Sequence, residues 1–117
     1  MNEEIVISSD KISLSDIIGL SKKRFGDMVK AVVDIETRVV AFGGELHADE
    51  EQVLLDRGSK QNDLWGINIY HELPRDQWIE FDSMINIRPS QRNLSRGVED
   101  EEVRRVIVDI VNKMITD

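Results

Sequence analysis

Between Asp100 and Ile115 the apolar residues Val103, Val106, Ile107, Ile110, Val111, Met114 and Ile115 recur at spacings of three and four, the period of one helix face. Glu101 and Glu102 at the start and Lys113 near the end suit the two poles of a helix dipole. The pattern predicts a C-terminal helix laid across a sheet.

Other stretches alternate with a period of two, as strands with one buried face do. From Met28 to Ile35, Val29, Ala31, Val33 and Ile35 share one parity against Lys30 and Asp34, and Val32 makes the stretch nearly two-sided. Val39 to Phe42 follows after the polar run Asp34 to Arg38, so the two read as a hairpin, with Gly43-Gly44 ending or bulging the second strand. Leu64 to Tyr70 sets Trp65, Ile67 and Ile69 against Asn68 and Tyr70. Ile79 to Ile87 sets Ile79, Phe81, Ile85 and Ile87 against Glu80, Asp82 and Asn86, with a break at Ser83-Met84. Arg88-Pro89 stops it, because proline offers no N–H to the ladder and restricts the residue before it. Ile5 to Ile7 reads as an edge strand.

Two shorter helices complete the pattern. Ser13 and Asp16 stand as a capping-box-like start before Leu14, Ile17, Ile18 and Leu20, and Gly26 is placed to close that helix past Arg24. Asp49 reads as an N-cap, with Glu50 and Glu51 in the first turn, Val53 and Leu54 as the packing face and Gly58 beyond the end. Helix, two strands, helix, two strands and helix make an α+β fold. The expectation is a mainly antiparallel sheet of about four strands, with a fifth at the N-terminus, and about three helices packed on one face. One domain is expected over residues 1–117, with segment 1–12 loosely attached.

Composition narrows the function classes. A chain of 117 residues with 40% hydrophobic and 32% charged residues suits one folded domain with its own core. A net charge of −8 argues against a general nucleic-acid or acidic-membrane binder, though it leaves room for a local basic patch. The absence of cysteine removes disulfides, a thiolate nucleophile and cysteine-ligated metal. No leader pattern is visible, and no apolar run approaches the roughly 20 residues that cross a bilayer, so a cytoplasmic protein is expected.

No stretch matches a catalytic or cofactor motif, and the candidate chemistry sits in three places. Arg88, Arg92 and Arg96, with Ser90, Gln91, Asn93 and Ser95, form a loop whose guanidinium, hydroxyl and amide groups suit a phosphate or carboxylate. The same arginines are also drawn to Glu99, Asp100 and Glu101. The polar parity of the late strands gathers Asn68, Glu80, Asp82 and Asn86, with Asp34 from the hairpin, either as a site or as an ordinary solvated face. Glu45, His47 and Asp82 offer imidazole and carboxylate ligands to a metal such as zinc or manganese, although the spacing matches no metal motif and Asp49 beside His47 serves equally as a helix cap. Trp65 and Trp78 stack a ligand on one reading and fill the core on the favoured one.

The strings FGDMVKAVVDIE, GGELHAD, GSKQNDLWGINIY, WIEFDSMINIRPSQ and SRGVED resemble a family of small uncharacterised prokaryotic proteins, a domain of unknown function, over about residues 24 to 116. The resemblance implies a stand-alone single domain and transfers no active-site residue. The leading expectation is a binding module for a small anionic ligand or an acidic partner, because the arginine loop is the densest signal. The alternative is a small metal-dependent hydrolase-like enzyme using His47 and Asp82, with Glu80 beside them. Self-association through an exposed sheet edge is compatible with either.

Overall fold

Strand β3 (Val29–Asp34) lies at the centre of the molecule because its side chains are buried on both of its faces. The computed structural model describes residues 5–117; residues 1–4 of the N-terminal segment lie outside the described residues. With β1 (Val6–Ser8), β4 (Val40–Phe42), β5 (Leu64–Ile69) and β6 (Ile79–Glu80), β3 forms a five-stranded sheet in the order β1-β4-β3-β5-β6. Every neighbouring pair in it is antiparallel. Two further strands, β2 (Ile12–Ser13) and β7 (Ile115–Thr116), make a separate parallel pair that joins the beginning of the chain to its end. They are too short to leave a periodic trace in the sequence.

The β3–β4 hairpin closes on Asp34. Its Oδ1 accepts from the backbone N–H groups of Glu36 at 2.9 Å and Thr37 at 3.1 Å, while Arg38 adopts a left-handed φ of 65°. Aspartate is suited to this role because its short acceptor satisfies the turn's own donors. The turn therefore needs no Asn-Gly pair.

Alternation along the strands sorts the sheet into two faces. Ala31, Val33, Val40, Phe42, Trp65, Ile67 and Ile69 face α1 (Leu14–Arg24) and α3 (Glu101–Met114), whose Ile17, Leu20, Ile107, Ile110, Val111 and Met114 complete the larger core. On the opposite face Val32, Ala41 and Leu64 meet Leu54 of α2 (His47–Asp56). The expectation of helices on one face thus holds for α1 and α3 but not for α2. Val32 and Ala41 explain the difference: apolar groups on the second face of the central strands also need cover.

Helix ends follow the sequence where a side chain caps them. Ser13 Oγ accepts from Asp16 N–H at 3.0 Å, and Asp100 Oδ1 accepts from Glu102 N–H at 2.8 Å and Val103 N–H at 3.4 Å. Gly26, at φ 88°, donates its N–H to Ser21 O at 2.6 Å and closes α1. In α2 the cap is Leu46 rather than Asp49; its backbone is extended and its side chain makes no capping bond. Asp49 lies inside the first turn, where its charge suits the helix dipole.

The expected strand Ile79 to Ile87 is shortened to two residues. Ser83 Oγ accepts from Ile85 N–H at 3.2 Å and starts a 3-10 turn over Met84–Asn86, a local bond that competes with the sheet ladder. A second such turn, Pro89–Gln91, follows. Among the described residues no helix is long and apolar enough to cross a membrane.

Candidate functional site

Two buried asparagines build the frame of the arginine loop. Asn86 bridges from the turn after β6 onto β5: its Oδ1 accepts from Gly66 N–H at 2.9 Å, and its Nδ2 donates to Gly66 O at 3.0 Å and Arg96 O at 2.9 Å. Asn93 donates through Nδ2 to Asn86 O at 2.8 Å and Gly97 O at 2.7 Å, and its Oδ1 accepts from Glu99 N–H at 2.8 Å. Backbone bonds between Arg88 and Asn93 close the loop in both directions. The loop is therefore held by protein groups.

Within that frame Arg88 is a structural residue. Its guanidinium donates to the carbonyls of Gln61 and Leu64 and lies over the Trp65 ring, 4.0 Å from its centroid. Burial pushes its pKa below the usual arginine value, with Glu51 and Asp63 opposing. Stacking of a weakly hydrated, planar cation on an indole is well suited to such a half-dry position.

Beside this stack a cavity of about 390 Å³ opens between the loop and the start of α3, lined by Trp65, Gln91, Arg92, Asn93, Glu99, Asp100 and Val103. Trp65 is only 4% exposed, and its indole N–H is buried without a hydrogen-bond partner among the described residues. The Trp78 indole, by contrast, donates to Leu73 O at 2.8 Å. Arg92 is exposed, with a left-handed φ of 60° that ends the Pro89–Gln91 turn. Glu99 accepts from the Leu94 and Ser95 N–H groups, both at 2.9 Å. These bonds, that of Leu94 foremost, hold its carboxyl below the usual glutamate value.

The remaining candidates lie elsewhere. Arg96 turns to Asp82, with Nε 2.6 Å from Oδ1, and Ser90 is exposed. Asn68 donates to Glu80 Oε1 at 2.8 Å and Asp82 O at 3.3 Å across the edge of the sheet. Glu45, 72% exposed at its side chain, pairs with Arg24 at 3.4 Å. His47 is buried at the head of α2, with Nε2 2.8 Å from Ile67 O. A carbonyl only accepts, so Nε2 carries the proton. Among the described residues no three His, Asp or Glu side chains come together as a group that could hold a metal.

Burial lowers the His47 pKa to about 4; Lys30 and Arg96 act in the same direction, while the Ile67 bond and Asp82 oppose them. The neighbouring Glu50, fully buried and accepting from Gly44 N–H at 2.8 Å, is pushed well above the usual range by its burial. The two have opposite linkage. Below the ordinary histidine pKa of roughly 6.5 the unfolded chain takes up a proton that folded His47 refuses, so about 3 kcal/mol of stability is lost as pH falls towards 4. Glu50's contribution is complete below its unfolded pKa and is lost as pH rises. In urea melts between pH 7 and 4.5, His47→Gln is expected to remove the acid-side loss and Glu50→Gln to steepen it. An unchanged slope in His47→Gln contradicts this assignment.

The loop thus divides. Arg92, Asn93 and Gln91 reach the cavity beside Trp65, Arg96 reaches Asp82, and Asn86 and Arg88 act as supports. What the sequence did not disclose is that Trp65 and Val103 wall the cavity, and that Glu99 and Asp100 join the lining. The parity that places Trp65 with Ile67 and the stripe that begins at Val103 were the available signal, since both point to the interface between β5 and α3.

No curated protein and no solved structure matches the chain. A family described as "Protein of unknown function (DUF5674)" matches residues 5–114, which takes in β1, β2 and α1 as well as the segment carrying the quoted strings. The chain belongs to that family of proteins of unknown function.

Proposed function

We propose that the protein is a binding module for a small anionic ligand held in the cavity between the arginine loop and α3. The observation that carries this reading is the exposed Arg92, the one cation of the cavity lining, which makes no ion pair with a carboxylate among the described residues. The Arg92 guanidinium supplies the charge and a planar fork of donors. Asn86 and Asn93 keep the loop in place beforehand, so little ordering is left to binding.

Metal-dependent hydrolysis at Glu45, His47 and Asp82 has no comparable support. Glu45 is engaged by Arg24, Asp82 by Arg96 and His47 by Ile67 O.

Thermal melts with acetate, small dicarboxylates, sulfate and phosphate test the proposal. A ligand that binds only the folded state at one hundred times its Kd stabilises by about 2.7 kcal/mol. The shift is expected to vanish in Arg92→Asn, a change that removes the charge while tolerating the left-handed backbone. Arg96→Ala is expected to keep it. A shift seen only with manganese or zinc, and lost in His47→Ala or Asp82→Ala, overturns the proposal in favour of the hydrolase.

A further inference from the structure

The most exposed large apolar side chains of the described residues gather at one spot. Leu94 is 69% exposed and Met84 64%, the two highest values among them, and Ile87 is 38% exposed. Backbone bonds in both directions make Arg88 and Asn93 an antiparallel pair, so Ile87 and Leu94 stand opposite each other as the next pair. Since Arg88 and Asn93 are buried, alternation turns Ile87 and Leu94 outward. Met84 joins them through the 3-10 turn. Ile87 N–H donates to Met84 O at 3.2 Å, and residues three apart in such a turn share one side. Single exposed apolar side chains are ordinary, whereas three side by side mark a contact surface. None of the three lines the cavity beside Trp65. Asn86 and Asn93 clamp the two segments that carry them, so little ordering is left to association.

Charges of both signs edge this patch. Ser83 is buried and extended, so Asp82 leaves the chain on the same side as Met84, and its Oδ1 takes the Arg96 guanidinium at 2.6 Å. Arg92 lies two residues before Leu94, and the Glu99 carboxylate accepts from the Leu94 N–H at 2.9 Å. Two cations and two carboxylates make the rim locally neutral in a chain of net charge −8. A partner of one sign is attracted by half of such a rim and repelled by the other half. A second copy, turned about a two-fold axis, brings both signs in reverse order. We propose that the protein forms a two-fold symmetric dimer through Met84, Ile87 and Leu94, with Arg96 facing the partner's Asp82 and Asp82 the partner's Arg96.

Sedimentation of the full chain from about 1 to about 100 μM is expected to show a monomer–dimer equilibrium with the dimer predominant at the upper end. The double variant Met84→Ser, Leu94→Ser is expected to weaken the dimer at least about tenfold, since each copy loses two apolar anchors. Its Tm is expected to stay within a few degrees of the parent, because both side chains are already exposed. Arg96→Glu and Asp82→Arg each place like charges together on the rim, and each alone is expected to be monomeric. An equimolar mixture of these two variants is expected to restore the dimer. Thermal melts confirm that each variant is folded. A parent chain that stays monomeric throughout overturns the proposal. So does a dimer that survives the double variant, which places the seam elsewhere, the free edge of β1 foremost. A mixture that stays monomeric overturns the two-fold pairing of the rim.

Discussion

Replacing Asn86 by alanine is expected to destabilise the protein by about 3–4 kcal/mol, the largest effect of any single polar substitution considered for this fold. The fully buried amide satisfies Gly66 N–H, Gly66 O and Arg96 O; in Asn86→Ala both Gly66 groups lose this partner, while Arg96 O keeps only the Ser83 N–H. The expected fall in Tm is more than about 10 °C for a domain of this size. Asn86→Asp separates the amide's two halves: it still accepts from Gly66 N–H but no longer donates to either carbonyl, so it is expected to be about as damaging as alanine. Denaturant melts that place Asn86→Ala within about 1 kcal/mol of the parent contradict the role of Asn86 as the clamp between β5 and the loop.

Gly66→Ala is expected to cost about 2–3 kcal/mol for a steric reason. A Cβ added at Gly66 stands 2.7 Å from both Cβ and Oγ of Ser83 and 3.2 Å from His47 Cδ2. Since the Ser83 Cβ is fixed to its own backbone, rotating the hydroxyl relieves only part of the clash. A double-mutant cycle isolates the contact: Ser83→Gly in the Gly66→Ala background is expected to recover about 1 kcal/mol or more, while Ser83→Gly alone destabilises. Additive effects within about 0.5 kcal/mol contradict the close approach. A glycine inside a strand is a recognised mark of another chain segment lying against the backbone. Here that segment is the Ser83 to Asn86 turn, with His47 at its side.

These two residues also show where sequence reading reaches its limit. The α3 stripe, the alternation in β3 and β5, and the caps at Ser13 and Asp100 are local regularities, encoded within one or two turns or pleats, and each is present in the fold. The alternation of Ile79 to Ile87 places Asn86 on the polar face of a continuous strand. Its actual position depends on a bond that Ser83 makes to Ile85 N–H, and its partners lie 20 residues away on Gly66. Nothing in a period of two carries that information. α2 was legible as a helix but not its side of the sheet, which is decided by Val32, Ala41 and Leu64 together.

The arginine loop shows the same division. Its density of guanidinium and amide groups was plain, yet the groups have separate tasks. Arg88 is spent on Trp65 and two carbonyls, Arg96 on Asp82, and Asn93 on the loop itself. Arg92 is the one cation in the cavity lining, and Trp65, which pattern alone assigns to the core, is both core residue and cavity wall. A hydrogen-bond donor without a partner is a property of three-dimensional packing and has no sequence signature.

The measurement that bears most directly on the binding site is the pair of indole N–H resonances in a ¹H–¹⁵N spectrum, assigned by their loss in Trp65→Phe. Trp78, whose N–H already bonds Leu73 O, is the internal control. On titration with an anion that stabilises the protein, the resonance of Trp65, which lines the cavity, is expected to shift while that of Trp78 stays in place. A stabilising ligand that leaves the Trp65 resonance where it was, or that moves only Trp78, contradicts the assignment of this cavity as the binding site.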